Sequence, residues 1–135
     1  MAKLTESEVV AFLDAPRIVD VVTLRAHGSP HVAPLWYEYA GGRFSFFTAA
    51  TSVKTLNLER DPRIAISIAS PDEPYTYVTA DGIADVSRDD AVKRAIRITK
   101  RYRGPAGEAW VRAFDWEVVI ISFAPTRMHA WRADP

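Results

Sequence analysis

Arg43-Phe44-Ser45-Phe46-Phe47-Thr48-Ala49-Ala50-Thr51-Ser52-Val53-Lys54-Thr55-Leu56-Asn57-Leu58-Glu59-Arg60-Asp61-Pro62-Arg63 decides how this chain is read. An aromatic strand runs into a turn of hydroxyl and small residues, and a short helix follows until Asp61-Pro62 stops it. The first amides of a helix have no backbone partner and favour an anion. With Ser52 or Thr51 as the cap and Lys54 in the first turn, the stretch can cradle a phosphate. An ordinary capped helix with Lys54 in water satisfies the same pattern, so the flanks have to separate the two readings.

Upstream, Ala40-Gly41-Gly42 turns the chain into this strand from another, His31 to Tyr39, which carries Val32, Leu35, Trp36, Tyr37 and Tyr39 but is interrupted by Pro34. Proline cannot donate to a ladder, so this strand should have an edge, a bulge or a ligand on its Pro34 side, leaving backbone groups for something flat. Before it, the β-branched run Ile18, Val19, Val21, Val22, Thr23 predicts a strand from Arg17 to Leu24, with hairpin chemistry in Ala26-His27-Gly28-Ser29-Pro30. Thr5-Glu6-Ser7-Glu8 is a capping box opening a short lid helix, whose apolar face is Val9, Val10, Phe12 and Leu13 and which Pro16 ends.

Downstream, Arg63 to Ala69 alternates cleanly, with Ile64, Ile66 and Ile68 on one face. Tyr75 to Ser87 predicts a long strand with a bend or bulge at Gly82. Ser87-Arg88-Asp89-Asp90 predicts a second capping box, followed by a helix burying Val92, Ala95, Ile96, Thr99 and Tyr102 and ending before Gly104-Pro105. Its other face holds Lys93, Arg94, Arg97, Lys100 and Arg101, either solvated or meeting in part a polyanionic ligand tail. A short helical segment spans Glu108 to Phe114, and the last strand runs from Trp116 to Phe123 and on through Met128 and Trp131. Short connections and antiparallel pairing predict a mainly β protein with helices (α+β), a small closed or split β-barrel in a single domain over residues 1–135.

Lys+Arg and Asp+Glu balance at 17 each, so no overall field draws nucleic acid or an anionic membrane, and any anion site is local. Cysteine is absent, which excludes disulfides and thiolate chemistry. Val118-Val119-Ile120-Ile121 is too short to span a bilayer. A soluble, cytoplasmic protein with no nucleic-acid or membrane partner is the expectation.

No glycine-rich phosphate loop, zinc motif or nucleophile elbow is present. His27 and His31 flank a turn and His129 lies near the end, so they read as surface or strand histidines and no metal site is expected. Asp81, Asp85 and Glu117 read as cross-strand partners. No catalytic residue stands out. What remains is apolar and aromatic surface beside an anion-binding turn: Pro34, Leu35, Trp36, Tyr37, Phe44, Phe46, Phe47, Tyr75, Tyr77 and Trp131. A barrel core takes most of these rings. A phosphate-bearing aromatic cofactor needs both surfaces, and for hydride transfer the protein need only bind, orient and exclude water.

Gly28-x-Pro30, Pro34-x-Trp36, Thr48, the run Ser52-x-Lys54-x-x-Asn57-Leu58-x-Arg60-Asp61-Pro62-Arg63, and Tyr77-Val78-x-x-x-Gly82 resemble the pyridoxamine-phosphate-oxidase-like flavin/deazaflavin split barrels, most closely the small actinobacterial members that use coenzyme F420. The resemblance implies a six-stranded antiparallel split β-barrel of the FMN-binding type and a homodimer with two equivalent cofactor clefts at its interface. It implies a flat ring along Pro34, Leu35, Trp36 and Thr48 and a phosphate at Ser52, Val53 and Lys54, with Asn57 in the same motif. Tyr77 corresponds to a cleft-lining position, and Trp131 approaches from the second subunit. Several relatives carry arginines at the positions of Ser52 and Leu56. Here Lys54 is the principal cation of the turn, with Arg25, Arg60 or the basic helix as further sources of charge. The implied activity is an F420-dependent oxidoreductase acting on a planar organic substrate. An FMN-dependent oxidoreductase and a non-catalytic F420 carrier are the alternatives.

Overall fold

Alternating apolar residues build the strands, and three passes of chain are long enough to leave one sheet and enter another. The computed structural model describes residues 1–134. In chain order its elements are β1 (Ala2–Lys3), α1 (Glu6–Asp14), β2 (Val19–Leu24), β3 (Pro30–Leu35), β4 (Glu38–Ala40), β5 (Arg43–Ala49), α2 (Val53–Arg60), β6 (Arg63–Ala69), β7 (Thr76–Ile83), β8 (Asp85–Ser87), α3 (Ala91–Arg103), a 3-10 turn (Gly104–Ala106), α4 (Gly107–Arg112), β9 (Val118–Phe123) and β10 (Pro125–Arg132). They form two antiparallel sheets, ordered β1-β10-β7-β6-β2-β3 and β4-β5-β9-β8.

The predicted strands are there, but the long ones are bent. β3 passes into β4 at Trp36-Tyr37, β7 into β8 at Ala84, and β9 into β10 at Ala124. Gly82 permits the second bend, because a Cβ there would lie 3.0 Å from both the Ala124 carbonyl oxygen and the Phe123 ring. The expected closed ring of strands is not formed: each sheet keeps two edges, and no ladder joins the sheets among the described residues. Chain bends, rather than hydrogen bonds, carry the structure across each corner. Pro34 sits where proline is tolerated, on β3 at the edge of the larger sheet, opposite Asp20.

The main core lies between the sheets. Val19 and Val21 of β2, Ile64, Ile66 and Ile68 of β6, and Val78 of β7 face Phe44 and Phe46 of β5 and Ile121 and Phe123 of β9. A second core packs Ala91, Ala95 and Ile96 of α3 and Val111 of α4 on Val118 and Ile120 of β9. β9 is thus buried on both faces, which accounts for its unbroken apolar run. Thr5 and Glu8 form the predicted capping box of α1.

The second predicted capping box does not form. The chain stays extended through Ser87, whose hydroxyl accepts the Asp89 amide at 3.1 Å, and α3 begins only at Ala91. Asp90 precedes it at φ +50°, a left-handed conformation aspartate tolerates, without a side-chain cap. The buried face of α3 is also turned from the expected one, with Ala91 and Ile98 buried while Val92 is 42% exposed. No helix among the described residues is long and apolar enough to cross a membrane.

Candidate functional site

The β3-to-β4 corner opens into a cleft of ≈550 Å³, within the range that small ligands occupy. Pro34, Leu35 and Trp36 begin the lining, Phe47 and Thr48 of β5 form the floor, and Trp110, Phe114 and Trp116 continue it, with the Trp36 and Trp110 rings in contact at 5.4 Å between centroids and Ile18 and Arg103 completing it. Trp36 stacks on Tyr102 with centroids 4.8 Å apart and planes 8° from parallel. Along the same row, Phe114 stacks on Trp116 at 4.1 Å, Trp110 meets Phe114 edge-on at 4.9 Å, and the Arg103 guanidinium lies 4.9 Å from the Trp110 centroid. This row of aromatic rings along the cleft suits a planar guest.

The end of α3 holds this corner still. The Tyr102 hydroxyl donates to the Arg17 carbonyl at 2.7 Å and accepts the Tyr37 amide at 3.0 Å, while Arg101 donates to the Tyr37 carbonyl at 3.1 Å. Tyr37 is fully buried, and its hydroxyl lies 2.9 Å from the Leu13 carbonyl and 3.0 Å from that of Ala15. Burial pushes the Tyr37 phenol up to about 12 and that of Tyr102 upward as well.

The turn into α2 is equally organised. Thr48 donates to Ser52 at 3.3 Å, and the Ser52 and Thr55 hydroxyls are 3.0 Å apart. Thr55 donates in turn to the Ala49 carbonyl at 2.8 Å. Ser52 caps the helix by accepting the Thr55 amide, so its side chain is committed within the protein. The amides of Val53 and Lys54 have no protein partner, as expected at a helix start. Lys54 makes no ion pair among the described residues, and partial burial lowers its pKa.

One of the sequence expectations is corrected here. Asn57 is 4% exposed and away from the cleft; its side-chain amide donates to Thr23 at 3.0 Å and accepts from Arg60 at 3.0 Å, pinning α2 to β2. Tyr77 and Trp131 are direct cross-strand partners on the outward face of the larger sheet. From β3 to β7 is three strand spacings, roughly 14 Å, so both lie outside the cleft of their own chain, as a residue that approaches from a second subunit would. By contrast Pro34, Leu35, Trp36 and Thr48 share one cleft, and Ser52, Val53 and Lys54 lie at the turn joined to it through Thr48.

The wall built by Trp110, Phe114 and Trp116 was not anticipated, although three large rings within seven residues, two of them 36% and 37% exposed, exceed what a six-residue helix needs for packing. His31 was read as a surface or strand histidine. It stands opposite Thr23, on the inward parity of β3 with Ala33 and Leu35, and its Nδ1 is buried without a hydrogen-bond partner. A planar group carrying an anion fits these residues: aromatic walls at one end, and at the other an orphaned buried nitrogen and an unpaired lysine. Among the described residues no cluster of His, Cys, Asp or Glu can hold a metal.

Together the bent antiparallel sheets, corner cleft and cationic helix start define a class of α+β proteins with a ligand cleft beside a capped turn. A model of the family described as pyridoxamine 5'-phosphate oxidase matches residues 5–132, and the chain belongs to that family of split-barrel, flavin- and deazaflavin-binding proteins. Among solved structures it is similar to a conserved hypothetical protein, Rv2991, from Mycobacterium tuberculosis, at TM-score 0.83 and 24% identity over 96% of this chain and 85% of that one. An F420 reductase matches at TM-score 0.73 and 27% identity over 87% and 93%. A FAD-binding protein from Mesorhizobium loti matches at 0.72 and 19% over 98% of each chain. The likenesses below 25% identity carry the fold alone.

Proposed function

We propose that this protein is an F420-dependent oxidoreductase whose corner cleft holds the deazaflavin ring. The observation that carries the reading is the joining, through Thr48, of an aromatic cleft to a helix start with unpartnered amides and an unpaired lysine. On the inward face of β3, Leu35 at the cleft and His31 opposite Thr23 are roughly 13 Å apart along the strand. A ring with an anionic chain needs that spacing. The similarity to an F420 reductase supports deazaflavin as the guest.

When bound, the reduced cofactor supplies a hydride to a planar conjugated acceptor, and solvent supplies the proton. Trp36 and the Phe114–Trp116 wall orient the ring and exclude water. The amides of Val53 and Lys54, with the Lys54 ammonium, hold the phosphate.

The proposed assembly is a two-fold homodimer, a split barrel completed by two equivalent clefts. The outward face of the larger sheet carries Val22, Leu24, Ala65 and Ile83, and Val32 there is 61% exposed. A second copy on this face would bring its own Tyr77 and Trp131 towards the cleft, consistent with the isologous contact of a two-fold pair.

Titration with F420, FMN and riboflavin, followed by oxidation of reduced F420 with a panel of quinones and tetrapyrroles, tests the reading. Tight F420 binding with acceptor-dependent oxidation is expected. Tight FMN binding with negligible F420 binding makes the protein a flavin enzyme instead. F420 binding without turnover of any acceptor makes it a carrier.

A further inference from the structure

Among the described residues, His31 carries, near α2, a buried side-chain nitrogen without a partner, and the phosphate contacts proposed above, the Val53 and Lys54 amides and the Lys54 ammonium, do not include it. Its neighbours make that costly, since a buried unsatisfied polar atom destabilises the fold unless something satisfies it. On β2, directly opposite, stands Thr23, whose hydroxyl is occupied by Asn57. At the hairpin, Arg25 is held by its bonds to the Pro30 carbonyl at 2.6 Å and to Ser29 at 3.3 Å. From α2, Lys54 lies one turn before Asn57 and therefore on the helix face that Asn57 holds against β2.

The other charged groups nearby are engaged or turned away. The ring of His27 bonds to Ser29 at 2.8 Å, Arg60 donates to the Leu24 carbonyl at 2.7 Å, and Asp61 is tied to Arg63 at 2.7 Å. Glu59 lies about 140° around the helix from Lys54. Neither Arg25 nor Lys54 forms an ion pair among the described residues. Three basic side chains from three segments are thus near enough for the Arg25 and Lys54 charges to bear on the His31 ring, and no carboxylate pairs with either cation.

We infer that Arg25, His31 and Lys54 form an anion subsite in which the His31 imidazole takes up a proton as the anion arrives. The inference rests on the proposed cofactor reading in one respect only, that Lys54 is shared. In the free protein, burial first and the Arg25 and Lys54 charges next hold the His31 pKa below its ordinary 6.5, so the ring is neutral at pH 7. An anion between the three groups offsets both cations and accepts the imidazolium N–H, which raises that pKa. Affinity therefore strengthens as pH falls through the bound-state pKa and levels off below the free-state pKa. Each pH unit between the two is worth up to a factor of ten.

Sulfate is a suitable probe, because its charge does not change between pH 5 and 8. Calorimetric titration of the full-length protein with sodium sulfate at constant ionic strength should give at least about tenfold tighter binding at pH 5.5 than at pH 7.5. The 15N-resolved imidazole titration of His31 should move to higher pH when sulfate is saturating. His31→Gln, which cannot take the proton, should bind sulfate with no such pH dependence. Sulfate affinity that is flat with pH in the unaltered protein, or a His31 titration that sulfate does not move, overturns the inference even if F420 binds tightly. A sulfate-dependent His31 titration without F420 or FMN binding leaves the subsite standing and removes the cofactor reading.

Discussion

Two helix ends press basic side chains toward the same bent strand and use them in opposite ways. At the end of α3, Arg101 spends its guanidinium on the carbonyls of Leu13, Asp14 and Tyr37, and Tyr102 both donates and accepts. At the start of α2, the Lys54 and Arg25 charges bear on His31 with neither cation ion-paired among the described residues, and one imidazole nitrogen is buried and unpaired. The first set is structural because its hydrogen bonds close within the chain. The second is a candidate site because they do not. Composition gives no hint of this difference, since basic residues are as dense on α3 as anywhere in the chain.

The comparison breaks most visibly if the α3 end is removed. Tyr102→Ala deletes the stacking partner of Trp36 and two corner hydrogen bonds, and should lower stability by about 3 kcal/mol in a denaturant titration; a change below about 1 kcal/mol would mean the corner is held elsewhere. Lys54→Ala should do the reverse, leaving the unfolding midpoint in place while weakening binding of a phosphate-bearing flavin or deazaflavin by about 1.5–3 kcal/mol. Unchanged affinity would return Lys54 to the surface.

Asn57→Ala sharpens the boundary between the two regions. It strips the buried contact to Thr23 and should cost about 1.5 kcal/mol of stability, with cofactor affinity measured under native conditions little altered. A selective loss of affinity would place Asn57 at the ligand after all. The smallest effect concerns Glu8, whose carboxyl is held down to about 2 by the Thr5 amide, Arg132 and the Thr5 hydroxyl. Its folded pKa lies below its unfolded value, so its contribution is present above about pH 4.5 and is lost as pH falls toward 2. Glu8→Gln should flatten that part of the stability profile; an unchanged profile would show that the clasp between α1 and β10 contributes nothing.

Periodicity made the strands legible. Ile64, Ile66 and Ile68 alternate into the core as predicted, and Gly82 marks a real bend. The sheet changes at Trp36-Tyr37, Ala84 and Ala124 were less visible, because a bent strand keeps its alternation while its hydrogen-bond partners change. The start of α3 was misplaced because Ser87 satisfied a capping pattern that the pairing of β8 with β9 overrode. In the site, the Pro34–Trp36 segment and the Ser52–Lys54 turn could be found from the chain alone, since proline interruption and capping chemistry are local. Asn57 shares that motif, yet its role depends on what packs over it, and only the position of β2 reveals that. The Trp110–Trp116 wall and the inward parity of His31 depend likewise on which face each element turns toward its neighbours.

The central claim is that one continuous site recognises a ring at the β3 corner and an anion at the start of α2. Side-by-side titration of the purified protein with F420, FMN and riboflavin, followed by quenching of tryptophan fluorescence, tests it most directly. F420 binding tightly at one equivalent per chain, with phosphate-free riboflavin weaker by at least about tenfold, a loss of about 1.4 kcal/mol, is the predicted result. Equal affinity for riboflavin and the phosphate-bearing ligands, or no quenching by any of them, would contradict it.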